Sequence, residues 1–223
     1  TEVKLYFMMG LPTETDEDLA GIASLALRIK DLYHEIRGKY DCRVTVSVSS
    51  FVPKPFTPFQ WMPQCSVAEI ERKQQYLKDL FRDKHIKYAY HDAKTGYLEA
   101  VLARGDRQLG KVILKAWKKG CTYDSWTEFF NYDKWIECFH ECNIDPDLYA
   151  NRPRDEFEQE PWDHIDCGVT KDYLRKEWKM AQKGLLTHDC RHLPCNGCAV
   201  CPLLDVKLIG CRPGKDSVPD RLF

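Results

Sequence analysis

The chain has 223 residues, of which 43% are hydrophobic and 30% charged, and this is enough to bury a core in one or two domains. Its formal net charge of −1 excludes a global basic field for nucleic acid but leaves room for a local basic patch. No apolar run approaches the roughly 20 residues that span a bilayer, so we expect no membrane partner. Eleven unevenly spaced cysteines indicate a reducing, cytoplasmic setting rather than a secreted disulfide scaffold.

The first segment of the chain has a strand–helix–strand pattern. Val3–Met9 is apolar on both faces, as in a strand buried in a parallel sheet, and a Gly-Leu-Pro turn ends it. Thr13 or Thr15 can cap the helix that follows, whose apolar spacing continues to about Ile36. The β-branched residues of Cys42–Pro55 predict a second strand, stopped by prolines. A right-handed parallel crossover is the expected connection.

The rest of the chain is predicted to be mainly helical. His85–Asp92 alternates like a short strand. Capping signals and apolar spacing predict helices at Ser66 to about Lys84, Tyr97–Ala103, Asp106–Lys118, Tyr132–Cys142 and Thr170 to about Lys183.

A cysteine run near the C-terminus is the most specific chemical signal. Cys190, Cys195, Cys198 and Cys201 give the spacing C-x4-C-x2-C-x2-C. Four soft sulfur ligands this close together predict one metal centre, either zinc or an iron–sulfur cluster. The compact spacing is nearer to iron–sulfur ligation, and free buried thiols are the alternative without a metal.

Two strand ends predict a ligand site. Gly10 follows the first strand, allows a close backbone approach, and precedes a helix whose first N–H groups are free to bind. Ser49 and Ser50 are polar at the carboxyl end of the second strand, where an apolar run would otherwise continue. Ligands of parallel α/β sheets bind at this edge. Glu14 has a simpler interpretation as a partner of the helix dipole.

Three other features carry weaker functional hypotheses. The proline- and aromatic-rich stretch from Ser49 to Trp61 suits either a pocket wall or a stiff surface connection. Cys167, with His164 nearby in the sequence, is a candidate reactive thiol. Six cationic residues within Ala103–Gly120 suit either an RNA or anion patch or a solvated helix face, and the solvated face is the simpler interpretation.

Several of these segments resemble radical S-adenosylmethionine enzymes. The stretch LYFMMGLPTETDEDLAGI is similar to their late strand–turn–helix, and VSVSSFVPKPFTPFQW is similar to the last barrel strand of their cobalamin-binding branch. The later blocks EAVLARGDRQLGKVILKAWKKGC and PWDHIDCGV, with the cysteine run, resemble one largely uncharacterised cobalamin-associated family. The resemblance extends to about Pro202.

The resemblance implies a fold and a cofactor set. The α/β segment 1–63 would be the last βαβ part of a partial, TIM-like (β/α)6 barrel, followed by a mainly α-helical domain (64–186), a Cys-rich metal-binding segment (187–204) and a tail (205–223). A [4Fe–4S] cluster would cleave S-adenosylmethionine to a 5′-deoxyadenosyl radical, with cobalamin as a further cofactor. The implied cofactor-binding residues are Gly10, Leu11, Pro12, Glu14, Ser49, Ser50 and Lys54. The implied reactions are methylation or sulfur insertion on an unidentified substrate, with RNA and protein as candidate classes.

The sequence departs from this family in one respect. The superfamily signature C-x3-C-x2-C is absent from all 223 residues, and Cys190–Cys201 would be a separate, auxiliary site. We therefore expect the C-terminal portion of a longer enzyme, whose N-terminal part would be its partner, and we expect no cleavage of S-adenosylmethionine by this chain alone. The two alternatives are a zinc-stabilised module that binds RNA or protein, and an iron–sulfur electron carrier.

Overall fold

The computed structural model describes residues 1–206, which form a mixed α/β fold. Cys211 and the predicted tail from residue 207 onward lie outside the described residues. The elements run in the order β1 (Glu2–Met9), α1 (Asp16–Arg37), β2 (Arg43–Ser50), α2 (Val67–Leu80), β3 (Ile86–Tyr90), α3 (Ala93–Arg104), α4 (Leu109–Lys118), α5 (Tyr132–Glu141), α6 (Asp147–Ala150), α7 (Lys171–Ala181) and α8 (Val200–Leu203). No helix within residues 1–206 has the length and apolar character needed to cross a membrane.

The three strands form one parallel sheet in the order β1-β2-β3. The predicted parallel pairing of the first two strands is confirmed, and its register places Met9 opposite Ser50. Val44, Val46 and Val48, at every second position of β2, are buried in the core, because successive side chains of a strand point to opposite faces of the sheet. The short predicted strand near His85 is β3, which pairs with β2.

Helix α1 begins where its sequence predicts. Thr15 is the N-cap residue, and its hydroxyl and the Asp18 carboxylate form a reciprocal capping box. Gly38 ends the helix in the left-handed conformation with φ of 64°, which glycine adopts at little cost. The apolar face of α1, including Leu19 and Ala26, is buried against the sheet.

The described chain divides into two units that alternate along the sequence. The first unit contains residues 1–53 and 62–154, and the second contains residues 54–61 and the described residues from 155 onward. A boundary at residues 63 and 64, expected from the sequence, falls inside the first unit. The reason is that β3 pairs with β2, and the Gln64 backbone N–H donates to the Ala150 carbonyl at 2.9 Å. Residues far apart in the sequence therefore complete one core.

Candidate functional site

The carboxyl edge of the sheet brings the two predicted strand ends together. Met9 and Ser50 are register partners, and the Phe51 N–H donates to the Met9 carbonyl at 2.7 Å. The turn that begins at Gly10 therefore lies beside the end of β2. This is the edge at which open parallel sheets bind their ligands.

Glu14 is engaged by protein groups at this edge. Its two carboxylate oxygens accept from the Gly10 N–H at 2.9 and 3.0 Å, and Oε1 lies 2.6 Å from the Lys73 Nζ on α2. The side chains of Glu14 and Lys73 are each only 6% exposed. The arrangement fixes the turn to α2, and a role for Glu14 toward a cofactor stays a prediction.

Gly10 meets a steric requirement as well as a conformational one. Its φ of +79° is in the left-handed region, and an added Cβ would lie 2.8 Å from the Ile70 Cδ1 atom. The Cys65 thiol lies 3.6 Å from the Gly10 carbonyl oxygen, and burial raises the pKa of that thiol. The positive φ thus accounts for the glycine without a ligand.

The two serines at the end of β2 have different surroundings. The Ser49 hydroxyl donates to the Phe7 carbonyl at 3.3 Å. The Ser50 hydroxyl is buried and has no hydrogen-bond partner, and an added Cβ on Gly96 would lie 3.9 Å from it. A buried polar atom without a partner points to a ligand or a water at this position.

Gln64 joins this cluster and was missed by sequence reasoning. It is buried, and its Nε2 donates to the carbonyls of Phe51 at 3.2 Å and Gly96 at 3.0 Å. Its Oε1 is buried without a partner, like the Ser50 hydroxyl. We call Ser50, Gln64 and Gly96 the edge cluster. In the sequence, Gln64 is a polar residue between Pro63 and Cys65, and no periodicity or motif singles it out.

The other implied cofactor residues occupy varied positions. Leu11 is exposed in the turn, and its carbonyl accepts from the Glu14 N–H at 3.1 Å, while Pro12 is half-buried. Lys54 begins the part of the second unit at 54–61, where its carbonyl accepts from the Thr57 hydroxyl at 2.8 Å.

The cysteine run contains a turn of the kind found in metal-binding loops, but within the described residues its sulfur atoms do not converge on one point. The Gly197 N–H donates to the Cys195 sulfur at 3.4 Å, with Gly197 at a φ of 78°. Partial desolvation is the main cause that raises the pKa of the Cys190 thiol. The negative charge of Asp189 and the Cys198 and Cys195 thiols raise it further. Nowhere in residues 1–206 do three Cys, His, Asp or Glu side chains converge closely enough to hold a metal ion. The donor chemistry fits zinc or an iron–sulfur cluster, and the predicted site stays a prediction.

Cys167 lines a cavity of about 330 Å³ within the second unit. Lys171 and Asp163 form an ion pair on its wall, and the Trp162 indole N–H donates to the Gln60 Oε1 at 3.0 Å. The aromatic- and proline-rich stretch contributes to this wall through Phe56 and Gln60. Cys167 and the Lys171–Asp163 ion pair therefore line the same cavity.

Two of the six cations within Ala103–Gly120, Lys115 and Lys119, form ion pairs with α5. Lys115 lies 2.9 Å from Glu141, and Lys119 lies 2.7 Å from Glu141 and 3.0 Å from Glu137. The acidic side chains of α5 beside these two lysines favour the interpretation of a solvated helix face at this end of α4.

Comparison with known proteins gives one partial match. An uncharacterized protein of Methanocaldococcus jannaschii is 34% identical over 112 residues, which is 50% of this chain. The match covers 23% of that relative, so this chain spans about a quarter of its length. No protein-family profile and no solved structure matches the chain.

Proposed function

We propose that this chain belongs to a radical S-adenosylmethionine enzyme and forms the last βαβ segment of its partial (β/α)6 barrel. The motifs MMGLPTETDEDL and VSVSSFVPKP support this, because they end two neighbouring parallel strands. Such a pair is the repeating element of barrels that bind their cofactors at the carboxyl face.

The edge cluster is the observation that carries the proposal. The buried Ser50 hydroxyl and Gln64 Oε1 have no partners, and each unsatisfied group costs about 1–3 kcal/mol. A cofactor with hydroxyl and amino groups, such as S-adenosylmethionine, would supply the missing hydrogen bonds.

In this proposal the residues of the chain bind and orient the cofactor. The backbone of Gly10–Pro12 would lie against S-adenosylmethionine, and Ser49 and Ser50 would face it from β2. A [4Fe–4S] cluster, bound by cysteines outside this sequence, would supply the electron that cleaves S-adenosylmethionine to the 5′-deoxyadenosyl radical. The candidate reactions on the unidentified substrate are methylation, for which cobalamin is a further cofactor, and sulfur insertion.

Equilibrium dialysis of the 223-residue chain against S-adenosylmethionine tests the binding step. We expect saturable binding that Ser50→Ala weakens roughly fivefold, because it removes one hydrogen bond of about 1 kcal/mol. Ser47→Ala, in the same strand but away from its end, is the matched control. Lack of binding by the wild-type chain, or equal losses in the two variants, would contradict the proposal.

The gene sequence provides a test of the proposed [4Fe–4S] cluster. A reading frame that continues upstream of Thr1 into a C-x3-C-x2-C sequence supports the proposal. A start codon immediately before Thr1 contradicts it, whatever the outcome of the binding measurement.

A further inference from the structure

An open groove of about 510 Å³ follows one face of α7 in the second unit. Its charged lining consists of one carboxylate, Asp172, and four cations at Arg175, Lys176, Lys179 and Lys183. Most of the cations recur at intervals of about one helical turn, so they lie on one side of the helix. The groove therefore has an excess of positive charge in a chain whose formal net charge is −1.

Two of these cations have internal partners and two do not. Arg175 pairs with Asp172 at 2.6 Å, and Lys179 lies 3.3 Å from Glu156. Lys176 and Lys183 are exposed, and across residues 1–206 neither forms an ion pair. These two lysines are available to an external anion.

The helix dipole does not account for both free lysines. Cations are stabilised in the last turn of a helix, which suits Lys183 beside the end of α7. Lys176 lies in the middle of the helix, where this effect has faded.

The groove also has an apolar and aromatic surface. Phe157 is 74% exposed, and the Arg175 guanidinium lies 4.9 Å from the centre of its ring. A Schellman turn ends α7, with the Leu185 N–H donating to the Met180 carbonyl at 3.0 Å, and both side chains line the groove. An exposed ring beside cations is the chemistry on which bases of single strands stack.

We propose that this groove binds single-stranded nucleic acid, with Lys176 and Lys183 contacting phosphates and Phe157 stacking on a base. The two lysines are separated by seven residues, or about 10 Å along a helix, which is more than one phosphate can bridge. An aromatic platform adds nothing to the recognition of a simple polyphosphate. The inference is independent of the radical S-adenosylmethionine proposal, because it concerns binding within the second unit.

Fluorescence anisotropy on the full chain, with a labelled uridine octanucleotide over a series of salt concentrations, tests the inference. We expect Lys176→Ala with Lys183→Ala to weaken binding about tenfold. The salt-dependence slope should fall by about 1.4, since each phosphate contact on a single strand contributes about 0.7. The matched control removes the same charge at the C-terminal end of α4, as Lys115→Ala with Lys119→Ala, and should leave affinity nearly unchanged. Thermal unfolding of each variant verifies that it folds.

Variants of Phe157 distinguish the contribution of stacking to binding from the contribution of charge. We expect Phe157→Ala to weaken octanucleotide binding severalfold with the salt slope unchanged, and Phe157→Tyr to retain it. The inference is overturned if wild-type protein does not bind the octanucleotide, or if the α4 control loses as much affinity as the α7 variant. Competition by uridine monophosphate as effective, per nucleotide, as competition by the octanucleotide also overturns it in favour of a small phosphorylated ligand.

Discussion

Glu14 satisfies two demands at the carboxyl edge of the sheet. It accepts the Gly10 N–H and pairs with Lys73, so one buried carboxylate anchors the turn after β1 to α2. The family resemblance implies a cofactor-binding role for Glu14, but it does not distinguish that role from this structural one. Variants that alter the pair separate the two.

We predict that Lys73→Met lowers the free energy of unfolding by about 3–5 kcal/mol, because it leaves a buried carboxylate without its cation. Glu14→Gln should have a similar effect, and the double variant should lose less than the sum of the two, since no buried charge remains. Urea denaturation measures all three. Arg72→Met, which removes an exposed cation one position earlier, is the control and should cost less than about 1 kcal/mol. Equal losses for Arg72→Met and Lys73→Met would contradict the prediction.

Capping side chains mark the starts of helices α1, α2 and α3, whereas α4 begins without one. The sequence predicts the Ser66 cap and leaves Thr13 and Thr15 as alternatives for α1. In the structure Thr15 and Ser66 are the caps, and helices α1 and α2 begin directly after them. Helix α3 begins at Ala93 rather than Tyr97, because Asp92 caps it by accepting from the Thr95 N–H at 2.8 Å. The sequence pattern predicts a strand over His85–Asp92, so it does not indicate that Asp92 caps a helix.

Helix α1 is tied to the turn between α2 and β3 by a partly buried ion pair. Lys30 donates to Asp83, and together with the His85 backbone N–H it lowers the pKa of Asp83 to about 2 from 3.8. A lowered carboxyl pKa stabilises the fold above the unfolded value and loses that effect as pH falls through the folded value.

We predict that wild-type protein loses more stability than Asp83→Asn between about pH 4 and pH 2, the interval bounded by these two pKa values. Urea unfolding midpoints across this range measure the difference. Asp31→Asn removes an exposed carboxylate near the same lysine and should behave like wild type. Parallel curves for wild type and Asp83→Asn would contradict the prediction.

At the scale of the whole molecule, the sequence predicted the parallel βαβ core and placed Gly10, Ser49 and Ser50 at one edge. It did not predict Gln64 there, because its burial depends on Gly96, which lies 32 residues away in the sequence. Nor could it predict the two units, because the place of residues 54–61 in the second unit depends on contacts such as that of Gln60 with Trp162. Periodicity and caps are local signals, whereas these features arise from tertiary contacts.

The cysteine run leads to a prediction about metal content. Protein purified anaerobically should contain iron with acid-labile sulfide, or zinc, and Cys195→Ser with Cys198→Ser should remove most of it. Cys142→Ser, at the C-cap position of α5, is the control and should leave the metal content unchanged. Elemental analysis distinguishes the two metals, and metal-free wild-type protein would contradict the site.

The interleaved order of the two units bears on how the chain is made. During translation, residues 54–61 leave the ribosome long before residue 155 is synthesised. Phe56 and Phe59 therefore cannot pack in the second unit until the rest of the first unit has been made. Phe59 meets the edge of Trp178 only when α7 has been made. A nascent chain stopped after residue 154 would expose these rings to water and to other chains. We therefore expect chaperones to bind the segment 54–61 during translation.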